Sequence, residues 1–212
     1  MERTIAVTGI GKVSTAPDEA NLAIGIRASA PTARAVSALA NSAMGDLVAA
    51  IKANGIADRD IQTGYFSIQP NYEMVKNTQR QVGHTANNTV NVTIRSIPTV
   101  STIIDAVIAV SGESITISNL RFLASDATQG QAKATARTAA LRDAQQQAEA
   151  IAQTLGVIVG PVQAVDATTQ QFTPRPPGML RAMAMPMGGG GTPIEAGELD
   201  IVTTVSVIFA IA

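Results

Sequence analysis

The sequence predicts an α+β fold, in which a mixed, largely antiparallel sheet of hairpins is covered by two long helices and one shorter helix. Two pairs of segments alternate apolar and polar residues and are joined by turn residues, which is typical of hairpins. Three other segments carry apolar residues at helical spacing and are interleaved with the strands. Because hairpins dominate this order, an antiparallel arrangement is favoured over a parallel one.

The first two predicted strands, 4–15 and 19–30, are joined by an Ala-Pro-Asp turn and predict an N-terminal hairpin. Gly9 and Gly11 lie inside the first strand. A dinucleotide-binding loop would need a third glycine three residues after Gly11 and a helix after it. That position is Ser14, and a strand follows instead of a helix. The glycines are therefore interpreted as bulge or close-packing residues.

The first predicted helix begins at Pro31-Thr32 and ends at about Asn54-Gly55. Its apolar residues share one face: Val36, Ala40, Ala43, Leu47 and Ile51. Two strands follow, 61–74, which is broken at Pro70, and 82–97, and they form a second hairpin with a polar tip. The remaining predicted elements are a short helix from Pro98 to about Val110, a strand over 114–125, a long helix, an extended segment over 157–172 and a last strand over 199–212.

The long helix is predicted to begin at Asp126, with Gln129 completing a capping box, and to end at Gly156. Its predicted apolar face contains Leu141, Ala144, Ala148, Ile151 and Leu155. Much of its surface is alanine, so other backbones can approach closely. The helix is interpreted as a spine for a sheet, for a neighbouring subunit, or for both. The candidate contacts between subunits are Ala132, Ala136, Ala140, Met183 and Met185.

The chain of 212 residues is long enough for a single domain or for two subdomains, about 1–97 and 98–212. Segment 173–193 is predicted to be a loop, because it contains five prolines, four consecutive glycines and four of the seven methionines. Charged residues make up 15% of the chain and hydrophobic residues 46%. Such apolar content exceeds what a small interior buries, which favours a homo-oligomer.

Several classes of partner are disfavoured by composition. The net charge is −1 with scattered basic residues, so binding of nucleic acid is not expected. The absence of cysteine excludes disulfides and thiolate chemistry. No apolar run approaches the length of a membrane span, so no transmembrane segment is expected. No signal peptide is expected within the given chain, because Met1-Glu2-Arg3 leads straight into a strand.

The titratable residues predict no catalytic set. His84 is the one histidine and is interpreted as an exposed strand residue. Carboxylates occur together at 18–19, at 58 and 60, and at 195–200, and are interpreted as solvated loop acids and caps. The alternative is a hydrolase that uses a carboxylate pair such as Glu195 with Glu198. No cofactor is expected.

The methionine cluster offers a ligand-binding alternative. Its thioethers belong to Met179, Met183, Met185 and Met187. Thioethers select soft cations, so a Cu(I) or Ag(I) site is one interpretation. The others are an adaptable apolar contact for a neighbouring subunit and a mobile linker.

The order and spacing of many short motifs resemble the SIMPL-domain family, which includes bacterial periplasmic immunogenic and outer-membrane-antigen proteins. The motifs are Val7-Thr8-Gly9-Ile10-Gly11-Lys12-Val13, Ala16-Pro17-Asp18-Glu19-Ala20, Asn54-Gly55-Ile56, Asp60-Ile61-Gln62-Thr63, Ile68-Gln69-Pro70-Asn71-Tyr72, Asn88-Thr89-Val90-Asn91-Val92, Phe122, Ala139-Ala140-Leu141, Leu155-Gly156 and Pro193-Ile194-Glu195-Ala196-Gly197-Glu198. Together they span nearly the whole chain. His84 and Ile10 depart from the family pattern.

The resemblance implies an exported envelope protein, periplasmic or secreted, with peripheral association with the outer membrane in some members. It also implies a link to tolerance of oxidative stress, and some members assemble into homo-oligomeric rings of more than two copies. It implies no catalytic residues. The sequence therefore predicts a non-enzymatic protein whose partner is itself.

Overall fold

A computed structural model describes residues 3–75, 78–111, 114–174 and 194–212 of the chain. The elements in these ranges are β1 (Thr4–Thr15), β2 (Glu19–Ala30), α1 (Ala33–Ala53), β3 (Ile61–Val75), β4 (Thr78–Ile94), α2 (Val100–Ser111), β5 (Ile115–Leu123), α3 (Asp126–Leu155), β6 (Val159–Pro174) and β7 (Leu199–Ile211). Short 3-10 turns lie at Asp58–Asp60 and Ile97–Thr99. The predicted α+β class is confirmed.

The strands form two antiparallel sheets rather than one mixed sheet. Their orders are β1-β7-β6 and β3-β4-β2-β5. The predicted hairpin of β1 with β2 is wrong, because Val7 of β1 lies opposite Val207 of β7, whereas Ile24 of β2 lies opposite Val90 of β4. Alternation shows that a strand has one buried face but does not identify the strand beside it. The second predicted hairpin is present as β3 and β4.

The contacts within the chain define two compact units. The first unit contains β1, α3, β6 and β7, and the second contains β2 to β5 with α1 and α2. The subdomains considered from the sequence, about 1–97 and 98–212, are continuous stretches. The first unit is not continuous, because β1 pairs with the last strand of the chain.

In the first unit, α3 packs closely on β1 and β7. Its buried residues recur every fourth position: Ala132, Ala136, Ala140, Ala144, Ala148 and Ala152. A Cβ atom on Gly9 would overlap the carbonyl oxygen of Ala140, and one on Gly11 would overlap that of Ala136. The two glycines therefore let the helix backbone approach the strand, and the interpretation of Gly9 and Gly11 as close-packing residues is confirmed.

This close approach also explains why the predicted apolar face of α3 is wrong in part. Ala144 and Ala148 are buried, but Leu141, Ile151 and Leu155 are 40%, 39% and 64% exposed. A glycine-lined strand brings the helix axis so near that methyl groups fill the interface. The larger side chains are therefore left on the flanks of the helix.

Both ends of α3 are capped, but the N-cap is not the residue that the sequence predicted. The N-cap is Ser125 rather than Asp126, and its Oγ accepts a hydrogen bond from the Thr128 N–H at 3.3 Å. Gln129 Nε2 donates to the carbonyl oxygen of Ala124 at 2.7 Å, so it does not complete a capping box at Asp126. Asp126 instead occupies the first turn, where a negative charge is favourable. Gly156 ends the helix with φ 68°, as predicted.

In the second unit, α1 and α2 lie against the four-stranded sheet. Thr32 is the N-cap of α1, and its Oγ1 accepts a hydrogen bond from the Ala35 N–H at 3.2 Å. The buried face of α1 is the predicted one, except that Met44 is buried where Ala43 was expected and Ala43 is partly buried. The fully buried side chains around it include Leu22, Ile24, Leu47, Ile51, Val92, Ile94, Ile103 and Val107.

Candidate functional site

The hairpin of β3 and β4 extends beyond the sheet to which it belongs. Pairing of β2 with β4 ends where Ala30 lies opposite His84. The pairing of β3 with β4 continues past that point, from Asn71 opposite Gly83 to Val75 opposite Thr78. Residues 71–75 and 78–83 therefore form a two-stranded ribbon, beside which none of the described residues adds a third strand. We call this ribbon the arm.

The arm carries exposed apolar side chains. Tyr72 is 52% exposed, Met74 is 69% exposed and Val82 is 48% exposed. Tyr72 lies opposite Gln81 and Met74 opposite Gln79, so these four residues share one face of the ribbon. An isolated two-stranded hairpin is marginally stable in water, and exposed apolar patches mark interaction sites. The arm is therefore the candidate interaction surface of this chain.

The base of the arm is fixed by polar contacts. Thr85 is 5% exposed, and its Oγ1 accepts a hydrogen bond from Asn71 Nδ2 at 2.7 Å. The hydroxyls of Ser29 and Thr85 form a further hydrogen bond of 2.9 Å. His84 lies beside them and is half-buried rather than exposed, with its Nε2 atom 3.2 Å from Gln81 Nε2. These contacts join β2, β3 and β4 at the point where the arm begins.

The arm continues an exposed aromatic edge. Tyr65 is 53% exposed and Phe66 is 49% exposed, and both lie on β3, which is an edge strand of its sheet. With Tyr72, three of the six phenylalanine and tyrosine residues of the chain are exposed on this one strand. Aromatic residues are enriched in protein interfaces. The exposed aromatic side chains of β3 therefore support an interface that includes the arm.

A second polar cluster lies at the opposite end of β4. Arg95 Nη2 donates to Asp60 Oδ1 at 2.7 Å, Arg95 Nε donates to Asp60 Oδ2 at 3.3 Å, and Arg95 Nη1 donates to Glu19 Oε1 at 2.7 Å. Asp60 is 9% exposed, so it is not the solvated loop acid expected from the sequence. The cluster joins the start of β2 to the end of β4.

The hydrogen bonds from Arg95 lower the pKa of Asp60 below its ordinary value of 3.8, against the opposing effect of burial, and the charges of Arg95 and Arg59 act in the same direction. Because the folded-state pKa is the lower one, the stabilisation is fully present above about pH 4 and is lost as the pH falls through the folded-state value. This arrangement orders a loop and holds two carboxylates, which is a structural role.

We expect Asp60→Asn to lower the Tm at pH 7 by roughly 2–4 °C. The difference from the wild-type protein should shrink below about pH 4, because the wild-type carboxylate is then protonated as well. Thermal unfolding between pH 2 and pH 7 measures both effects. Asp58→Asn is the matched control, since Asp58 pairs with Lys52 at a site where its side chain is 81% exposed. An equal shift in the control would contradict the prediction.

The structure places the residues that the sequence singled out as follows. Ala132, Ala136 and Ala140 are buried against the chain's own strands, so the alanine face is the spine of a sheet, one of the two uses considered for it. Any contact with a second copy would therefore use other residues.

Glu195 and Glu198 are both exposed, which does not support the hydrolase alternative. The four loop methionines, Met179, Met183, Met185 and Met187, lie outside the described residues.

The arm was missed from the sequence because its apolar residues were counted as ordinary strand residues. The lengths of the strands reveal the extension only once the strand beside the hairpin is known. β3 and β4 contain 15 and 17 residues, whereas β2 contains 12. A hairpin longer than its neighbouring strand must extend beyond it. The role of Arg95 could not be predicted from the sequence either, because its two partners are distant along the chain.

Within the described ranges, the helices are too short or too polar to cross a membrane. Residues 5–209 of the chain match the SIMPL family, which is described as a protein of unknown function (DUF541). The chain is 31% identical over 217 residues to the 26 kDa periplasmic immunogenic protein of Brucella melitensis biotype 1, an alignment that covers 98% of this chain and 84% of that protein.

Two further relatives carry the name uncharacterized protein YggE. The one from Edwardsiella ictaluri is 29% identical over 181 residues, which covers 85% of this chain and 74% of the relative. The one from Escherichia coli strain K12 is 27% identical over 206 residues, which covers 97% and 82% respectively. These similarities extend across both units of the chain.

Proposed function

This chain belongs to the SIMPL family, and from that premise we propose that it is a non-enzymatic protein of the bacterial envelope that assembles with copies of itself. The proposed assembly contains more than two copies and uses the arm as a contact. The observation that carries the proposal is the exposure of Tyr72 and Met74 on a ribbon that no third strand from the described part of the chain accompanies. A partner that covers this face would bury both side chains.

The arm is suited to self-association because its two faces differ. One face carries Tyr72 and Met74 between glutamines, whereas the other carries Glu73 opposite Arg80. The apolar face supplies contact area, and the paired charges keep the opposite face in water. The composition is consistent with this proposal, because 46% hydrophobic and 15% charged residues leave much apolar surface to cover.

The proposed location is the periplasm, with loose association with the outer membrane as a further proposal. Support for the periplasm comes from the name of the Brucella relative, which describes a periplasmic protein. The proposed physiological role, tolerance of oxidative stress in the envelope, rests on the resemblance to SIMPL proteins. Survival of a deletion strain in peroxide, with and without the wild-type gene, tests this role. Equal survival would contradict it.

The proposed assembly is tested by sedimentation velocity of the full chain over a range of micromolar concentrations. The test variant is Tyr72→Ser with Met74→Ser, which removes the apolar side chains of the arm. We expect the wild-type protein to sediment as an oligomer and this variant to associate at least about 100-fold more weakly, as expected for central apolar contacts of an interface.

The matched control is Glu73→Ser with Arg80→Ser, which shortens the side chains of the opposite face of the arm without changing the net charge. This variant should retain the wild-type sedimentation coefficient. A wild-type protein that is monomeric at micromolar concentration would overturn the proposed assembly. An oligomer that survives the loss of Tyr72 and Met74 would show that the contact lies elsewhere.

A further inference from the structure

Over residues 4–11, the edge of β1 lacks the charges, prolines and bulges that usually prevent strand pairing between molecules. β1 is an edge strand, and its register with β7 is continuous from Thr4 to Thr15. Residues 4–11 contain neither a charge nor a proline. Uncharged, regular edge strands are templates for pairing with another chain. The edge of β1 therefore requires another kind of protection.

The other edge strands carry such features. β6 has three irregularities in its register with β7 and contains Pro161. β3 has two irregularities in its register with β4 and contains Pro70. β5 has a register shift and a left-handed residue, Asn119, with φ 54°. Bulges and prolines are common protections of edges, and β1 differs from these three strands in having neither.

Two side chains of α3 bind the edge of β1 instead. The Ile10 N–H donates a hydrogen bond to Asp143 Oδ2 at 2.7 Å. Gln147 Nε2 donates to the carbonyl oxygen of Thr8 at 3.1 Å and to Asp143 Oδ2 at 2.9 Å. Because the backbone groups of a strand alternate in direction, those of Thr8 and Ile10 are the ones that an added strand would bind.

The close helix packing makes these contacts reachable. Asp143 and Gln147 are four residues apart and therefore lie on the same side of α3. Their short reach is sufficient because Gly9 and Gly11 allow α3 to approach β1 closely. The carboxylate also places a negative charge at the strand edge, where a charge-assisted hydrogen bond is stronger than a neutral one.

We propose that Asp143 and Gln147 form a clip that closes the edge of β1, and that opening the clip makes β1 an acceptor for β1 of a second copy. An antiparallel pair centred at Gly9 would place Thr8 of each strand opposite Ile10 of the other. Lys12, the one charged residue of β1, would then lie opposite Ala6, so like charges would not meet. This pairing would be separate from the contact proposed for the arm.

The test uses the full chain with Tyr72→Ser and Met74→Ser, so that association through the arm cannot mask the result. The clip variant adds Asp143→Ala and Gln147→Ala, and alanine keeps the helical propensity of α3 high. Amide exchange of Ile10, measured by NMR at low concentration, should become at least about tenfold faster, which is the factor expected for a lost charge-assisted hydrogen bond. Sedimentation velocity should show a new concentration-dependent dimer.

The matched control adds Gln145→Ala and Glu149→Ala to the same background. Gln145 Nε2 donates to Glu149 Oε1 at 2.9 Å, which is the same kind of pair on the same helix, and both residues are exposed. Both the control and Asp143→Asn, which keeps an acceptor oxygen for Ile10, should exchange slowly and form no new dimer. A clip variant that behaves as the control overturns the proposal. So does a clip variant with fast exchange at Ile10 that forms no new dimer.

Discussion

Replacement of Gly11 by alanine is expected to lower the free energy of unfolding by about 3 kcal/mol, near the upper end of the range for overpacked sites. The added Cβ atom would overlap the carbonyl oxygen of Ala136 and lie 2.6 Å from the amide nitrogen of Ala140. Both atoms belong to the backbone of α3, so no side-chain rotation relieves the overlap. The helix would have to move away from β1, and the alanine interface would lose its packing along several turns.

Gly130→Ala is the matched control for this substitution. Gly130 lies in α3, the helix that packs on Gly11, and a Cβ atom at Gly130 would meet no atom within 4 Å. The control should raise the free energy of unfolding by about 0.5–1 kcal/mol, since alanine favours the helix. Denaturant unfolding at a fixed protein concentration measures both variants and keeps any contribution of self-association constant. Similar stability of Gly11→Ala and the wild-type protein would contradict the close-packing account.

Truncation of Leu47 to alanine is expected to cost about 3 kcal/mol of stability, within the range for buried leucines. Leu47 is fully buried, at 0% exposure, between α1 and the second sheet. Removal of its terminal carbons leaves a cavity that the surrounding isoleucines and valines fill only in part. The loss should be seen as a lower denaturant midpoint with an unchanged slope.

Leu39→Ala provides the comparison, because Leu39 lies on the same helix but is 53% exposed. This change should alter stability by less than about 1 kcal/mol. The two leucines are chemically identical and differ in the face of α1 that they occupy. Equal losses for Leu39→Ala and Leu47→Ala would contradict the placement of α1 on the sheet.

The difference between these leucines was predictable from the sequence. Val36, Ala40, Leu47 and Ile51 recur at helical spacing, and Leu39 does not belong to that series. The helical spacing predicts the buried face of α1 because the interface between α1 and the sheet accommodates large side chains such as Leu47 and Ile51. The same procedure placed Leu141, Ile151 and Leu155 of α3 in a core, and they are exposed, because the partner of α3 is a glycine-lined strand.

Hydrogen bonds between distant residues could not be predicted in the same way. Arg95 binds Asp60 and Glu19, and Asp143 binds Ile10 across 133 positions of sequence. Each pair is formed only after strand order and helix position are fixed. The strand order itself was not available from the sequence, since β1 and β2 alternate as two strands of a hairpin do and yet lie in different sheets.

By itself, the sequence determined the α+β class, most of the elements, the buried face of α1 and the close-packing role of Gly9 and Gly11, because these depend on local spacing and residue size. The tertiary structure alone decided the division into two sheets, the extension of the arm past β2 and the closure of the edge of β1. These features depend on which distant segments pair. That pairing is stabilised by many weak contacts between residues far apart in sequence, which no short sequence pattern predicts.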